Sequence, residues 1–219
     1  MKKIFGFFLT LLAGLALGQN AGLRVAHLSP DAPEVDVWVN GSRLEVLSKL
    51  AFKAVSDYQS LPAGEVTVWL VPTGKTEPRV MEARLRIEAG KRYTLAATGL
   101  LAQLRGILLE DAAASPAGGQ ASLRLVHAVP GFPAVDVRVG GGSGSLVAQN
   151  LSFGQAGAYQ GLGSGGLSLV LFATGDTTRG IPLPSLRLES GKSYTLFLSG
   201  QYSHRAENFG LAFVLVEER

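Results

Sequence analysis

The stretch LRVAHLSPDAPEVDVWVNG, Leu23–Gly41, decides the fold, because it returns as LRLVHAVPGFPAVDVRVGG, Leu123–Gly141. Ten of the nineteen positions are identical at a constant offset of one hundred residues. In a chain of 219 residues such a repeat means two homologous halves, each long enough to bury its own core.

The local pattern of the stretch is that of strands. Leu23–Leu28 places Leu23, Val25 and His27 on one face and Arg24, Ala26 and Leu28 on the other. Ser29-Pro30-Asp31-Ala32-Pro33 ends it as a rigid corner, since two prolines fix φ and withhold backbone donors. Val35–Asn40 then alternates Val35, Val37 and Val39 with Asp36, Trp38 and Asn40, as in a half-buried antiparallel strand. Asn40-Gly41 is a hairpin signal.

Working outward, Arg43–Tyr58 is ambiguous, whereas Glu65–Val71 alternates again with Val66, Val68 and Leu70 inward and Trp69 outward. Met81–Ile87, Tyr93–Ala97 and Leu104–Leu109 complete about seven short strands separated by turn signals, with no convincing helix. Ala112–Ser122, AAASPAGGQAS, is small and polar and reads as a linker. The second half repeats the elements: Tyr58-Gln59 returns as Tyr159-Gln160, and LRIEAGKRYTL (Leu85–Leu95) as LRLESGKSYTL (Leu186–Leu196). The expected fold is all-β, two tandem immunoglobulin-like or transthyretin-like antiparallel β-sandwiches at 19–111 and 123–219.

Residues 1–18 read as a signal peptide: Lys2 and Lys3, an apolar run from Ile4 to Leu17, then Ala16-Leu17-Gly18 ahead of Gln19. That run is too short to span a bilayer, so no stable membrane span is expected after cleavage, and the protein is expected to be secreted or held in the periplasm or cell envelope. Removing Lys2 and Lys3 leaves 18 Lys and Arg against 17 Asp and Glu, so the net charge falls from +3 to +1. These charges are scattered rather than gathered into the basic stripe a nucleic acid requires, and nucleic acid is set aside as a partner. With no cysteine there is no disulfide, and stability rests on burial.

The repeated LRVxHxSPDAPxVDVxVNG opening, the YxxLPAG turn and the late EAGKxYTLxxxG segment together resemble the bacterial domain of unknown function 4397, over essentially the whole chain after the signal. The resemblance is closer in the first half, because Ser29–Pro33 has become Val129-Pro130-Gly131-Phe132-Pro133 and Asn40-Gly41 has become Gly140-Gly141. It implies exported or surface proteins without a settled activity.

Catalytic and cofactor motifs are rejected one by one. Gly161–Gly166 matches G-x-G-x-x-G in letters, but a strand pattern follows where the dinucleotide fingerprint needs a helix N-terminus. Gly74-Lys75-Thr76 and Gly191-Lys192-Ser193 lack the opening glycine of a P-loop, with Trp69 and Leu186 in its place. No G-x-S-x-G, no H-E-x-x-H and no cysteine nucleophile is present, so an enzyme, a cofactor and a metal are not expected.

The repeated polar positions are Arg24, His27 and Asp36, with their copies Arg124, His127 and Asp136. A histidine and a carboxylate suit metal binding or acid–base work, but one of each per half is too few for a tight metal site. The preferred reading is structural. If the two strands pair as a hairpin, Arg24–Asp36 and Arg124–Asp136 form ion pairs and His27 bonds to the backbone of the corner.

Trp38 and Trp69, both in the outward phase, with Tyr58 placed near them, make the sharper lead: a partner or glycan surface, or else a cover for one sheet against the linker or second domain. The cover is preferred, because two-domain chains commonly bury such patches between their domains, and the counterparts Arg138 and Val170 in the second copy lack large rings. The expected function is a non-enzymatic exported interaction or structural module with an unknown protein partner. The alternative is a carbohydrate-binding protein recognising a surface polysaccharide through these aromatics.

Overall fold

A computed structural model describes residues 20–111, 116–202 and 210–218. The expected signal peptide, 1–18, lies outside them, as does part of the expected linker.

The first half contributes β1 (Asn20–His27), β2 (Val35–Val39), β3 (Ser42–Arg43), β4 (Gln59–Pro62), β5 (Gly64–Pro72), β6 (Met81–Ile87), β7 (Arg92–Thr98) and β8 (Arg105–Glu110). The second contributes β9 (Gln120–His127), β10 (Val135–Val139), β11 (Leu146–Leu151), β12 (Gln160–Gly163), β13 (Gly165–Leu167), β14 (Leu169–Ala173), β15 (Ile181–Pro182), β16 (Leu186–Leu188), β17 (Ser193–Gln201) and β18 (Gly210–Glu218). β9 starts at Gln120, so the last three residues of the expected linker, 120–122, lie in a strand.

Each half is a sandwich of two sheets. In the first, β4-β1-β7-β8 packs on β3-β2-β5-β6; in the second, β12-β9-β17-β18 packs on β11-β10-β14-β15, with β13-β16 as a small extra ribbon. The alternation read from sequence explains why. Leu23, Val25, Val35, Val37, Val66, Val68 and Leu70 all enter one core, and Leu123, Leu125, Val135, Val137, Leu169 and Leu171 enter its counterpart. Asn40 and Gly41, at φ 48° and 89°, form a two-residue turn that pairs Val39 with Ser42, because both positions take the left-handed backbone such hairpins need.

β1 and β2 do not pair with each other. The proline corner carries the chain from one sheet to the other, so β1 lies between β4 and β7 while β2 lies between β3 and β5. This corrects the hairpin expected from sequence, and with it the ion pairs Arg24–Asp36 and Arg124–Asp136, whose members occupy different sheets. A rigid reversal fixes the chain's direction without deciding whether the flanking strands bond.

The inner sheets of the two sandwiches meet face to face. Ala26, Leu28, Ala96 and Leu109 from the first and Val126, Ala128 and Phe197 from the second form a third buried apolar cluster. β1 and β9 are therefore covered on both faces, one by their own core and the other by the opposite repeat. Thr98 Oγ1 donates to Ala128 O and Ser199 Oγ donates to Leu28 O, both at 2.8 Å, so the corner ends of the two repeats lie together. Asn20 and Gln120 begin their inner sheets at the opposite pole, where Glu110 and Glu218 end theirs.

Candidate functional site

At the pole where the described residues begin and end, the seam between the repeats holds four charged side chains with almost no exposure. Arg24 on β1 and Arg124 on β9 stand in the strand phase opposite their cores, so each guanidinium points at the other repeat. Arg24 Nη2 reaches Glu218 Oε2 at 2.5 Å and lies 3.6 Å from Asp111 Oδ2. Arg124 Nη2 bonds Asp111 Oδ1 and lies 3.6 Å from Glu218 Oε1. Each arginine thus takes its acid from the last strand of the opposite repeat or from the residue just after it.

The rest of the shell is equally reciprocal. Arg24 Nε donates to Thr94 Oγ1 at 2.8 Å and Arg124 Nε to Thr195 Oγ1 at 2.7 Å. Those hydroxyls donate in turn to Asp111 and Glu218. Arg24 Nη1 donates to Glu217 O and Arg124 Nη1 to Glu110 O. Tyr58 and Tyr159 lay their rings on the two guanidinium groups, 4.5 and 4.7 Å from carbon to centroid. Tyr58 Oη donates to Asp111 Oδ2 at 2.7 Å, and burial together with that carboxylate pushes the phenol far above its ordinary range. Burial pushes Tyr159 up to about 12. Two positive and two negative charges, hydrogen-bonded all round, make this a structural quartet whose charges satisfy one another away from water.

His27 and His127 sit at the corners. His27 Nε2 lies 3.0 Å from Pro33 O and its Nδ1 accepts the Ser29 N–H; His127 makes the same two contacts with Pro133 O and Val129 N. Burial lowers both pKa values, outweighing the bonds to backbone that raise them.

Asp36 and Asp136 lie in the outer sheets and pin loops. Asp36 accepts the N–H groups of Lys49 and Gly74, both at 3.0 Å, with Arg43 Nε 3.4 Å away. Burial raises its pKa, but those two donors and the Arg43 charge overcome it and the net shift is downward. Asp136 accepts from Asn150 N, Thr174 Oγ1 and Gly175 N in the same way. Histidine and aspartate therefore do not converge, and among the described residues no group of three or more His, Asp or Glu side chains is placed to hold a metal ion.

Trp38 and Trp69 face each other across β2 and β5 on the outer sheet, their rings 6.3 Å apart and 13° from parallel. That sheet faces away from the seam, so they do not cover the second repeat. This corrects the preferred expectation: the inner sheets, not the outer, join the halves. Arg79 lies 4.3 Å over the Trp69 ring while bonding Glu82, and so occupies one indole face. Tyr58 belongs to the seam rather than to the tryptophans.

A cavity of about 430 Å³ opens at the edge of the seam between Lys53–Tyr58 and Val214–Glu217. On the opposite side of the seam Arg105 lies 4.2 Å over Phe153.

Comparison with known proteins bears on this arrangement. The sequence pattern described as Domain of unknown function (DUF4397) matches residues 21–138 and again 121–217. The chain belongs to this family. Two matched segments over one chain agree with two DUF4397 copies, one in each sandwich. No curated protein matches the sequence.

Among solved structures, the Bacillus anthracis TIE protein is similar over 84% of this chain at 12% identity and TM-score 0.28, and this DUF4397 chain spans only 34% of its length. A protein of Bacteroides uniformis ATCC 8492, provisionally named a cell adhesion protein, shares 8% identity over 91% of this chain and 97% of its own, at TM-score 0.30. One of Bacteroides eggerthii DSM 20697, named in the same way, shares 10% identity over 91% and 96%, at TM-score 0.23.

Sequence reading singled out Arg24 and Arg124 in this DUF4397 chain but missed Thr94, Thr195, Asp111, Glu218 and the true place of Tyr58 and Tyr159. A signal was present. Arg, Thr and Tyr recur at equivalent points of both copies, and an acid ends the last strand of each.

Proposed function

We propose that the protein is an exported, non-enzymatic interaction or structural module of the cell envelope, with sandwich domains at 19–111 and 123–219 joined by residues 112–122. The observation that carries this reading is the quartet: the charged groups that the chain buries together lock one repeat to the other. The module is then a single stiff body, with the described chain ends at one pole and the corner loops of both repeats at the other, a layout that suits display of loops away from an attachment point. Expression of the full chain in a bacterial host, followed by fractionation and N-terminal mass analysis, tests it. The reading predicts a processed chain beginning at Gln19 outside the cytoplasm; an unprocessed cytoplasmic chain contradicts it.

A second reading, recognition of a surface polysaccharide, is favoured by one observation, the in-register Trp38–Trp69 pair on a half-exposed sheet face. Arg79 already covers one ring, which weakens it. Quenching of tryptophan fluorescence by a polysaccharide, lost in the Trp38→Ala/Trp69→Ala chain, is the result this reading predicts. No quenching across a panel of acidic and neutral polysaccharides contradicts it.

A further inference from the structure

The outer sheet of the first repeat ends in an open edge. β6 pairs with β5 alone, and among the described residues the backbone of Met81–Ile87 bonds to no other segment. Thr67 on β5 accepts the Asn40 N–H and donates its own N–H to Asn40 Oδ1, both at 2.9 Å, so its backbone groups face β2. Its neighbours Val66, Val68 and Leu70 therefore face β6, where Leu85, Ala83 and Met81 meet them. That leaves the N–H and C=O groups of Glu82, Arg84 and Arg86, all with exposed side chains, directed out of the sheet.

The equivalent edge of the second repeat is guarded. Aligned on Leu85 and Leu186, Met81 and Ala83 correspond to Pro182 and Pro184, and Glu82 and Arg84 to Leu183 and Ser185. There the strand is broken into β15 and β16. Proline withholds the donor that an added strand needs, and β6 contains none.

The unguarded edge complements itself in charge. With two copies of β6 antiparallel and Ala83 opposite Ala83, Glu82 of each falls opposite Arg84 of the other. Centring on Glu82, Arg84 or Leu85 instead sets like charges opposite one another. Within the chain Glu82 meets Arg79 at 2.8 Å in an exposed pair, which leaves it able to take a second cation, and Arg84 has no ion pair among the described residues.

We infer that β6 is a self-association edge whose partner is β6 of a second copy of this chain, antiparallel and centred on Ala83. Each Glu82–Arg84 pair across the twofold axis then exchanges both backbone hydrogen bonds as well as an ion pair, and the two outer sheets become one. This goes beyond the interaction reading by naming a partner, and association in solution is measured independently of where the chain resides.

Sedimentation equilibrium over a rising concentration series tests it, on the full chain and on the chain beginning at Gln19, so that association through the apolar run Ile4–Leu17 is recognised by its loss. Both forms are expected to give a reversible species of twice the chain mass; a monomer at every concentration in the chain from Gln19 overturns the proposal. Glu82→Arg and Arg84→Glu each oppose like charges and are expected to weaken association about tenfold. An equimolar mixture of these two variants, and the double variant Glu82→Arg/Arg84→Glu, are expected to recover the dimer. Arg84→Pro removes an N–H that faces away from β5, and is expected to abolish the dimer with an unchanged circular dichroism spectrum. Unweakened association in either charge variant, or a mixture that does not recover it, overturns the proposal. So does a dimer that persists in folded Arg84→Pro; if that variant does not fold, the charge exchange decides alone.

Discussion

Arg24 on the first strand and Glu218 on the last, 194 residues apart in sequence, meet at 2.5 Å with side chains 4% and 0% exposed. The pair ties the beginning of the described chain to its end, and its counterpart Arg124–Asp111 ties the middle. Removing one member of such a buried pair strands the other, which costs about 3–5 kcal/mol, whereas replacing both by apolar groups of similar volume costs far less. Urea denaturation is therefore expected to show Arg24→Met less stable by about that amount, and Arg24→Met/Glu218→Leu to recover a large part of it. Equal losses in the single and double variants would contradict the pairing.

Stability should fall in mild acid through the two corner histidines. Burial holds their folded pKa values below the ordinary 6.5, so the unfolded chain takes up protons first. The neutral-histidine stability is complete above pH 6.5 and declines as pH drops from there towards the folded values. Protonation of Nδ1 would also set a proton against the Ser29 or Val129 N–H that it now accepts. Measured between pH 7 and about pH 5, the slope of unfolding free energy is expected to be shallower in His27→Gln/His127→Gln than in the natural chain.

Asp36 behaves in the opposite sense. Its folded pKa is depressed below 3.8, so its contribution is present above that value and lost as pH falls through the folded one. Asp36→Ala leaves the N–H groups of Lys49 and Gly74 without their acceptor and is expected to cost at least about 2 kcal/mol at pH 7. The difference from the natural chain should shrink in strong acid. A difference unchanged at low pH would mean the loops are held by something other than the carboxylate.

Gly99 combines a φ of +100° with a backbone oxygen, that of Gln103, at 2.8 Å from where a Cβ would stand. Gly99→Ala is expected to cost about 1–3 kcal/mol by thermal denaturation. Gly74→Ala, at φ +76° but with open space around it, should cost less.

Much of the fold was legible because alternation is a local property. Val35, Val37, Val66, Val68 and Leu70 declare a buried face by their spacing alone, and the hundred-residue offset declares two copies. What covers the other face of a strand is not local. The sequence places Arg24, Ala26 and Leu28 together on one face of the expected strand Leu23–Leu28, but only assembly shows that a second repeat lies over them, and that the partner of Arg24 comes from the last strand. The tryptophans misled for the same reason. Their outward phase was correct, yet periodicity could not tell an outer sheet from an inner one, and the replacement of their rings by Arg138 and Val170 was no guide to the seam. Tyr58 lay in a stretch without clear periodicity, and its role became visible only with Arg24 beneath its ring.

The central claim is that the two sandwiches behave as one body, and a chance of composition makes it easy to test. Both tryptophans lie in the first repeat, so tryptophan fluorescence follows that repeat alone while far-ultraviolet circular dichroism follows both. Urea unfolding of the full chain, monitored by the two signals together, is predicted to give coincident transitions with one midpoint, and separated transitions in Arg124→Met. Separated transitions in the natural chain would show that the repeats unfold independently and that the quartet does not unite them.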